Sequence, residues 1–258
     1  MTDDLPELRT AAAVLFDLDG VLTPTAEVHM RAWQTVFDAV FAEWQITPAY
    51  TSADYYAYVD GKKRYDGVAA VMRSRNVEIA WGSPDDAPEA HTICGVGNRK
   101  NAAFAAALTA DGIAPYPGSL ALVQWLHGQQ IPMAVVSSSR NAGEVLAVSG
   151  LTAFFSAVID GVIAERDHLP SKPDPAMFRA GAAALGVEAA ACVAFEDAVA
   201  GVRSAADAGC RAVVGVDRGA GAAALRAHGA SHIVTDLAAF IPCEQIRSDV
   251  PNDQRESK

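Results

Sequence analysis

The chain has 258 residues, of which 51% are hydrophobic and 20% charged, the profile of a globular protein with a substantial core. Its 20 lysines and arginines against 31 acidic residues give a formal net charge of -11, which argues against a nucleic-acid or anionic-membrane binder. No apolar run reaches the roughly 18 residues of a membrane-spanning helix. The N-terminus has no signal-peptide pattern, so we expect a cytoplasmic protein.

The cysteines and the two ends of the chain carry little chemistry. The cysteines lie far apart and form no CxxC pair, which favours reduced thiols; they are Cys94, Cys192, Cys210 and Cys243. Residues 1–10 and 244–258 are polar and without an apolar period. We predict flexible termini there.

The first element in the chain is a short apolar run at residues 12–16, Ala-Ala-Val-Leu-Phe, typical of a strand buried on both faces of a parallel sheet. From about residue 115, helical stretches that end at a glycine alternate with short apolar runs. The predicted helices are 119–127, 141–149, 175–185 and 198–208, and the predicted strands that follow are 132–136, 157–159, 191–195 and 211–216. This alternation predicts an α/β fold, a doubly wound parallel sheet with helices on both faces.

Residues 28–112 do not follow this alternation. They contain helical periods at 28–41, 65–75 and 99–109 with no strand-like run between them. We therefore predict a helical cap domain at 28–112, inserted into a catalytic core made of 11–27 and 113–243. The turn-forming sequence Pro-Tyr-Pro-Gly at 115–118 would be the hinge where the chain returns to the core.

Polar side chains collect where the predicted strands end, and ligands of open α/β sheets bind at that edge. They are Asp17, Asp19, Ser137, Ser138, Ser139, Lys172, Glu196 and Asp197. Adjacent carboxylates cannot all stay ionised without a cation, and Mg²⁺ is the hard divalent metal that takes such oxygen ligands. The predicted metal ligands are Asp17, Asp19, Glu196 and Asp197.

This set of residue types fits phosphoryl transfer. Asp17 would be a carboxylate nucleophile and Asp19 a general acid/base. Ser137 would hold phosphate oxygens, and Lys172 would neutralise charge on the transferring group. Each element alone is common: an acidic turn, a serine loop, a solvated lysine, or a charge pair favoured by a helix N-terminus. The four together, each at a strand end or helix start, favour a catalytic site.

The same four elements resemble the motifs of the haloacid dehalogenase superfamily, over roughly residues 11–235. They read Phe-Asp-Leu-Asp-Gly-Val at 16–21, Val-Ser-Ser at 136–138, Lys-Pro at 172–173 and Glu-Asp at 196–197. The resemblance implies a Rossmann-like core with a helical cap. It also implies an aspartyl-phosphate formed on Asp17, with Mg²⁺ held by Asp17 together with the Glu196-Asp197 pair.

The cap sequence resembles the β-phosphoglucomutases of that superfamily. The string at 25–33 reads Thr-Ala-Glu-Val-His-Met-Arg-Ala-Trp. The resemblance implies that Thr25, His29 and Trp33 face the substrate and that His29 helps to position the acid/base aspartate. The string at 61–64 resembles a cap loop whose arginine, here Arg64, clamps a second, distal phosphate. The strings at 99–101 and 139–141 also resemble mutase segments, and the second of them implies that Arg140 and Asn141 lie near the distal phosphate. The substrate-binding residues implied are Thr25, His29, Trp33, Gly61, Arg64, Lys100, Asn101, Ser138, Ser139, Arg140 and Asn141.

Structural interpretations of these cap residues stay open. On most proteins Trp33 would pack in a core, His29 would be a surface histidine, and Arg64 and Lys100 would be solvated charges. The sequence also departs from the mutase pattern, because Pro24 follows the first motif and residues 78–96 form a longer segment than usual.

The function expected from the resemblance is a Mg²⁺-dependent β-phosphoglucomutase that interconverts β-glucose 1-phosphate and glucose 6-phosphate. β-Glucose 1,6-bisphosphate would be its intermediate and activator, and the protein would be a monomer. The enzymatic alternative is a sugar-phosphate phosphatase that shares every core residue. A non-catalytic binding domain is the remaining alternative, and the intact acidic and lysine motifs argue against it.

Overall fold

The computed structural model describes residues 5–242, which form a six-stranded parallel sheet covered by helices. The strands are β1 (Ala13–Phe16), β2 (Met133–Val136), β3 (Ala157–Ile159), β4 (Cys192–Glu196), β5 (Ala212–Val216) and β6 (His232–Val234). Their order is β3-β2-β1-β4-β5-β6, with every pair parallel. The predicted doubly wound parallel sheet is confirmed, and β6 is an edge strand that was not predicted.

The helices divide between the two parts of the chain. Those between β1 and the rest of the sheet are α1 (Thr25–Trp44), α2 (Arg64–Ser74) and α3 (Ile93–Asp111). Those beside the sheet are α4 (Pro117–Gly128), α5 (Ala142–Val148), α6 (Gly161–Arg166), α7 (Ala176–Ala184), α8 (Val199–Asp207) and α9 (Ala222–Ala227). Soon after α7 and α8 the chain passes through Gly186 and Gly209, whose φ angles of +72° and +83° suit glycine and end the helices.

The four central strands are buried on both faces because helices cover the sheet on each side. β1, β2, β4 and β5 are fully buried along their length. Their carboxyl ends therefore meet at one edge of the sheet, next to the point where α1 leaves the core. Strand β6 is only partly buried, which explains why its sequence lacks a continuous apolar run.

The helices α1, α2 and α3 have an apolar cluster of their own, separate from the clusters on the two faces of the sheet. In it Trp33 stacks on Phe37 with ring centroids 5.2 Å apart, and Phe37 stacks on Tyr50 at 4.6 Å. A helical turn at Ser52–Asp54 and a π-helical turn at Tyr55–Val59 lead from α1 towards α2. We call this segment, inserted in the chain between β1 and the rest of the sheet, the cap.

The N-terminal prediction needs a correction. Part of the segment predicted as a flexible lead-in is ordered, since Leu8–Thr10 forms a 3-10 turn and Leu8 is 3% exposed in the core. The Leu8 side chain packs in the hydrophobic core and thereby holds this segment in place. The predicted tail at 244–258 and Cys243 lie outside the described residues. Among residues 5–242, no helix combines the length and the hydropathy needed to cross a membrane.

A buried ion pair holds the cap loop that precedes the Ser52–Asp54 turn. Arg75 Nη2 lies 2.7 Å from Asp54 Oδ2, and the same guanidinium donates to Pro48 O at 3.1 Å and Ala49 O at 3.2 Å. The hydrogen bond from Arg75 lowers the pKa of the Asp54 carboxyl. The pair therefore stabilises the folded state above the pKa of unfolded aspartate, and this is lost as pH falls through the lower folded pKa.

We predict that Asp54→Asn lowers the free energy of unfolding at pH 7 by about 2 kcal/mol, because it removes a charge-assisted hydrogen bond from a buried guanidinium. Urea unfolding measures this, and the difference from wild type should shrink as pH falls below 3.8, the ordinary aspartate value. Asp207→Asn is the matched control, since Arg203 and Asp207 form an exposed pair at 3.4 Å. Equal losses in the two variants would contradict the assignment.

Candidate active site

Lys172 lies at the centre of the carboxyl edge of the sheet. Its Nζ donates to Asp17 Oδ1 at 2.7 Å, to Glu196 Oε1 at 2.6 Å and to Val136 O at 2.9 Å. These partners stand at the ends of β1, β4 and β2, which are neighbours in the sheet. The lysine is 1% exposed, so this is a structural and electrostatic centre rather than a solvated charge.

Burial and charge set the protonation of this centre. Burial opposes the charge on Lys172, but the carboxylates of Asp17 and Glu196 outweigh it and raise the pKa of the ammonium. Burial raises the pKa of Asp17, and the negative charges of Glu196 and Asp19 add to this while Lys172 opposes it. The single positive charge of Lys172 therefore does not balance the negative charges of the carboxylates around it.

Three carboxylates of this edge can hold a metal ion. Ligand oxygens of Asp17, Glu196 and Asp197 all lie within 4.8 Å of one another. Burial raises the pKa of Asp197, and the nearby charges of Asp60 and Glu196 raise it further. A buried, crowded set of carboxylate oxygens fits a hard divalent cation such as Mg²⁺.

Two glycines make room for these acids. A Cβ atom on Gly20, whose φ is +84°, would overlap the Asp197 carboxylate, and a Cβ on Gly201 would overlap the Glu196 carboxylate. The glycines therefore allow the backbone to approach the acidic side chains closely. Sequence reasoning did not single them out for this role.

The Asp19 carboxylate lines the same cavity as that cluster but is not among the three acids whose oxygens converge. Its Oδ1 accepts from Thr25 Oγ1 and lies 3.3 Å from His29 Nε2, and its Oδ2 accepts from Ser137 Oγ at 3.3 Å. Burial alone would raise the pKa of Asp19, but His29 and Thr25 lower it to about 2. Asp19 was predicted as a fourth metal ligand; its carboxylate instead belongs to a hydrogen-bonded network with the start of α1.

His29 and Lys100 form a buried pair above Asp19. Lys100 Nζ contacts His29 Nδ1, and Lys100 is only 3% exposed. The ammonium lies 5.2 Å from the Trp33 ring centroid and 4.7 Å from that of Phe104. Burial lowers the pKa of Lys100 well below its ordinary value, and burial together with Lys100 lowers the pKa of His29. Neither residue is the surface group that an arbitrary helix would carry.

A polar chain joins the cap to the core at the other end of the site. Arg64 Nη2 donates to Asn101 Oδ1 at 2.7 Å, and Asn141 Nδ2 donates to the same oxygen at 2.8 Å. The structure thus brings Arg64, Asn101 and Asn141 together. Arg140, expected beside Arg64 and Asn141 at the distal phosphate, forms an ion pair with Glu165 of the core.

The serines after β2 serve both the loop and the cap. Ser137 Oγ accepts from the Ser139 backbone N–H at 3.1 Å, and Ser138 Oγ donates to Gly61 O at 2.8 Å. Gly61 has φ +71°, and a Cβ there would lie 3.2 Å from Ala198 Cβ. Glycine at this position therefore lets the cap loop rest on the core.

Most of the predicted residues line one cavity of about 70 Å³ between the cap and the sheet. They are Asp17, Asp19, His29, Trp33, Gly61, Arg64, Lys100, Ser138, Ser139, Arg140, Asn141, Glu196 and Asp197. The other predicted residues are one layer behind and contact this lining; they are Thr25, Asn101, Ser137 and Lys172. Trp33 both packs in the cap and faces the cavity.

Six residues of the cavity wall were missed: Ala26, Tyr55, Val59, Asp60, Lys62 and Ala198. Of these, Tyr55 and Asp60 lie on the cap side of the cavity. Burial, together with the charge of Glu196, raises the pKa of Asp60 to about 7. The available signal was an acidic residue directly before the Gly61 to Arg64 string of the cap.

The arrangement is suited to transfer of a phosphoryl group. Asp17 contributes a carboxylate oxygen to the cluster with Glu196 and Asp197 and accepts a hydrogen bond from Lys172, so it is placed to act as a nucleophile. Asp19 lies two residues along the chain from Asp17. Its neighbours keep it ionised, so it can accept a proton. Arg64 lines the cavity and offers positive charge to an anionic ligand, while Lys172 behind the lining offsets part of the charge of Asp17 and Glu196.

Comparison with known proteins agrees with this chemistry. The model of the haloacid dehalogenase-like hydrolases matches residues 11–209. The chain is 44% identical to a β-phosphoglucomutase of Mycobacterium bovis, covering 92% of this chain and 93% of that protein. It is 27% identical to a fructose-1-phosphate phosphatase of Escherichia coli, covering 78% and 95%. The crystal structure of a β-phosphoglucomutase from Clostridium difficile shares the fold, with TM-score 0.73, 23% identity and coverage of 92% and 96%.

We predict that His29→Ala raises the pKa of Asp19 from about 2 towards the ordinary 3.8, because the variant removes the group that lowers it most. Carbon-13 NMR titration of the Asp19 carboxyl carbon measures this without any substrate. His91→Ala is the control, since His91 is 66% exposed and faces Glu43 at 3.5 Å. An unchanged Asp19 titration in His29→Ala would contradict the network.

Proposed function

The chain belongs to the haloacid dehalogenase-like hydrolase family and is a phosphoryl-transfer enzyme, and we propose that it is a Mg²⁺-dependent β-phosphoglucomutase. Its substrates would be β-glucose 1-phosphate and glucose 6-phosphate. The observation that carries the proposal is that one cavity is lined both by Asp17, which is hydrogen-bonded to Lys172, and by Arg64 of the cap, which offers a second anion-binding group. A sugar bisphosphate needs two such groups, whereas a substrate with one phosphate needs one.

The roles of the two aspartates follow from their surroundings. An oxygen of phosphorylated Asp17 loses its phosphoryl group to the 6-hydroxyl of β-glucose 1-phosphate, while Asp19 takes the proton of that hydroxyl. The product, β-glucose 1,6-bisphosphate, turns round in the site. Asp17 then attacks the phosphorus at C1, and Asp19 returns the proton to the departing sugar oxygen, which leaves glucose 6-phosphate. A pKa of about 2 in the resting enzyme suits Asp19 to begin as the base.

The metal would be held by Asp17, Glu196 and Asp197. When bound, Mg²⁺ neutralises charge on the phosphate oxygens and on the crowded acids. Lys172 remains hydrogen-bonded to Asp17 and keeps its oxygen oriented. Ser137 and the loop after β2 would offer hydroxyl and backbone N–H donors to the phosphate.

Water must be excluded, because it would hydrolyse the phosphorylated aspartate. The cavity of about 70 Å³ is room for only a few waters. A sugar phosphate therefore enters with the cap open, and closure seals the reaction. The bond from Ser138 Oγ to Gly61 O and that from Asn141 to Asn101 join cap and core in the closed form.

The proposed function predicts which of two products the enzyme forms faster. With Mg²⁺, β-glucose 1-phosphate and a trace of β-glucose 1,6-bisphosphate, the enzyme should form glucose 6-phosphate faster than inorganic phosphate, measured by a coupled dehydrogenase assay and a phosphate assay. Asp17→Asn should abolish turnover because it removes the nucleophile. Phosphate release that outpaces isomerisation would identify a sugar-phosphate phosphatase instead, and absence of both products would indicate a binding domain.

The proposed function also predicts a role for Arg64 in binding the distal phosphate. Arg64→Ala should lower kcat/KM for β-glucose 1-phosphate about 100-fold, the equivalent of one charged hydrogen bond of roughly 3 kcal/mol. Arg73→Ala is a matched control, because Arg73 is an exposed arginine in the last turn of the same helix, α2. Steady-state kinetics compare the two variants. Equal kcat/KM in Arg64→Ala and wild type would remove Arg64 from the phosphate site.

A further inference from the structure

The cap places one more carboxylate over the acidic cluster of the core. Asp60 lines the same cavity as Asp17, Glu196 and Asp197, although it belongs to the loop between the π-helical turn and α2. It is not one of the three acids whose oxygens converge within 4.8 Å, so it stands one layer further from their centre. The mechanism above gives it no role.

The position of Asp60 is fixed by its neighbours. Its backbone N–H donates to Tyr55 O at 2.9 Å. The following residue, Gly61, rests on Ala198, directly after the Glu196-Asp197 pair, and accepts a hydrogen bond from Ser138 Oγ at 2.8 Å. Closure of the cap therefore brings the Asp60 carboxylate to the cluster in a set position.

The charges that face Asp60 make this approach unfavourable without a cation. Glu196 is the acid that acts most strongly on Asp60, and Asp60 is the acid that acts most strongly on Asp197. Among the described residues, Lys172 is the cation that acts most strongly on Asp60, but its ammonium is already shared between Asp17 and Glu196. A fourth carboxylate over three others repels them unless positive charge is added.

We propose that Asp60 is the contact of the cap to the metal centre: a divalent cation at Asp17, Glu196 and Asp197 attracts the Asp60 carboxylate through an intervening water and thereby favours the closed cap. The inference rests on the proposed metal site. It makes Asp60 a positioning residue, which touches neither the sugar nor the transferring phosphoryl group. Metal binding and cap closure then favour each other, as linkage requires of two coupled equilibria.

The test uses Mg²⁺ alone, with no substrate. Calorimetry gives the Mg²⁺ dissociation constant, and amide hydrogen exchange of peptides covering residues 59–64 reports cap closure, since the Lys63 N–H is bonded to Ser171 Oγ of the core at 2.8 Å. In wild type, Mg²⁺ should slow exchange of this loop. In Asp60→Asn the dissociation constant should rise about ten-fold, the usual effect of removing an outer partner of a metal site.

Asp60→Asn should also differ in the metal-free protein. Because it removes the repulsion, its loop should exchange more slowly than that of wild type before Mg²⁺ is added, and Mg²⁺ should add little further protection. Asp60→Glu, which keeps the carboxylate, should retain the Mg²⁺ effect. Asp66→Asn is the control, because Asp66 lies in the first turn of α2, outside the residues that line the catalytic cavity, and it should behave as wild type.

The outcomes separate this inference from the proposed function. Slowing by Mg²⁺ in Asp60→Asn that equals the slowing in wild type overturns the inference, whatever the affinity. Wild type that binds Mg²⁺ with no change in exchange of residues 59–64 also overturns the inference and leaves the proposed metal site standing. Wild type that binds no Mg²⁺ overturns the metal site, and the inference with it.

Discussion

One buried ammonium ties the carboxyl edge of the sheet together. Lys172 is 1% exposed and donates to groups at the ends of β1, β2 and β4, so those strand ends must converge on it for its charge to be satisfied. An unpaired ammonium in this position would cost several kcal/mol, and so would the acids without it. Yet it balances only part of the negative charge. The remaining negative charge adds to burial in raising the pKa values of Asp17 and Asp197, and it suits the site to the proposed divalent cation.

The cap decides how the second aspartate behaves. Asp17 and Asp19 are two residues apart, but burial among acids raises the pKa of the first, whereas His29 and Thr25 of helix α1 lower that of the second to about 2. In the proposed mechanism the core therefore supplies the nucleophile, Asp17, and the start of the cap supplies the environment of the base, Asp19. Lys100, from α3, completes this environment through His29. A protein with a net charge of -11 thus places the basic residues Arg64 and Lys100 in the wall of one cavity.

Elements whose signal is local could be predicted from the sequence. The apolar run of β1 with its acids, the glycine-ended helices and the string at the start of α1 each lie within a few residues, so the sheet, the inserted helices and most of the cavity lining were expected. Other features depend on contacts between distant segments. The pairing of Arg140 with Glu165, the orientation of the Asp19 carboxylate and the approach of Asp60 to the acidic cluster are set by packing of the cap on the core. Edge strand β6, only partly buried, had no apolar run to mark it.

The central claim of this account is that the carboxylate cluster of Asp17, Glu196 and Asp197 enables Asp17 to carry a phosphoryl group. The most direct measurement is rapid mixing of the Mg²⁺-loaded enzyme with β-glucose 1,6-bisphosphate, an acid quench within the first turnover and mass spectrometry of the peptides. The account predicts one added phosphoryl group on Asp17, absent in Asp17→Asn. A phosphoryl group found on another residue, or turnover with no phosphorylated protein at any quench time, would contradict it.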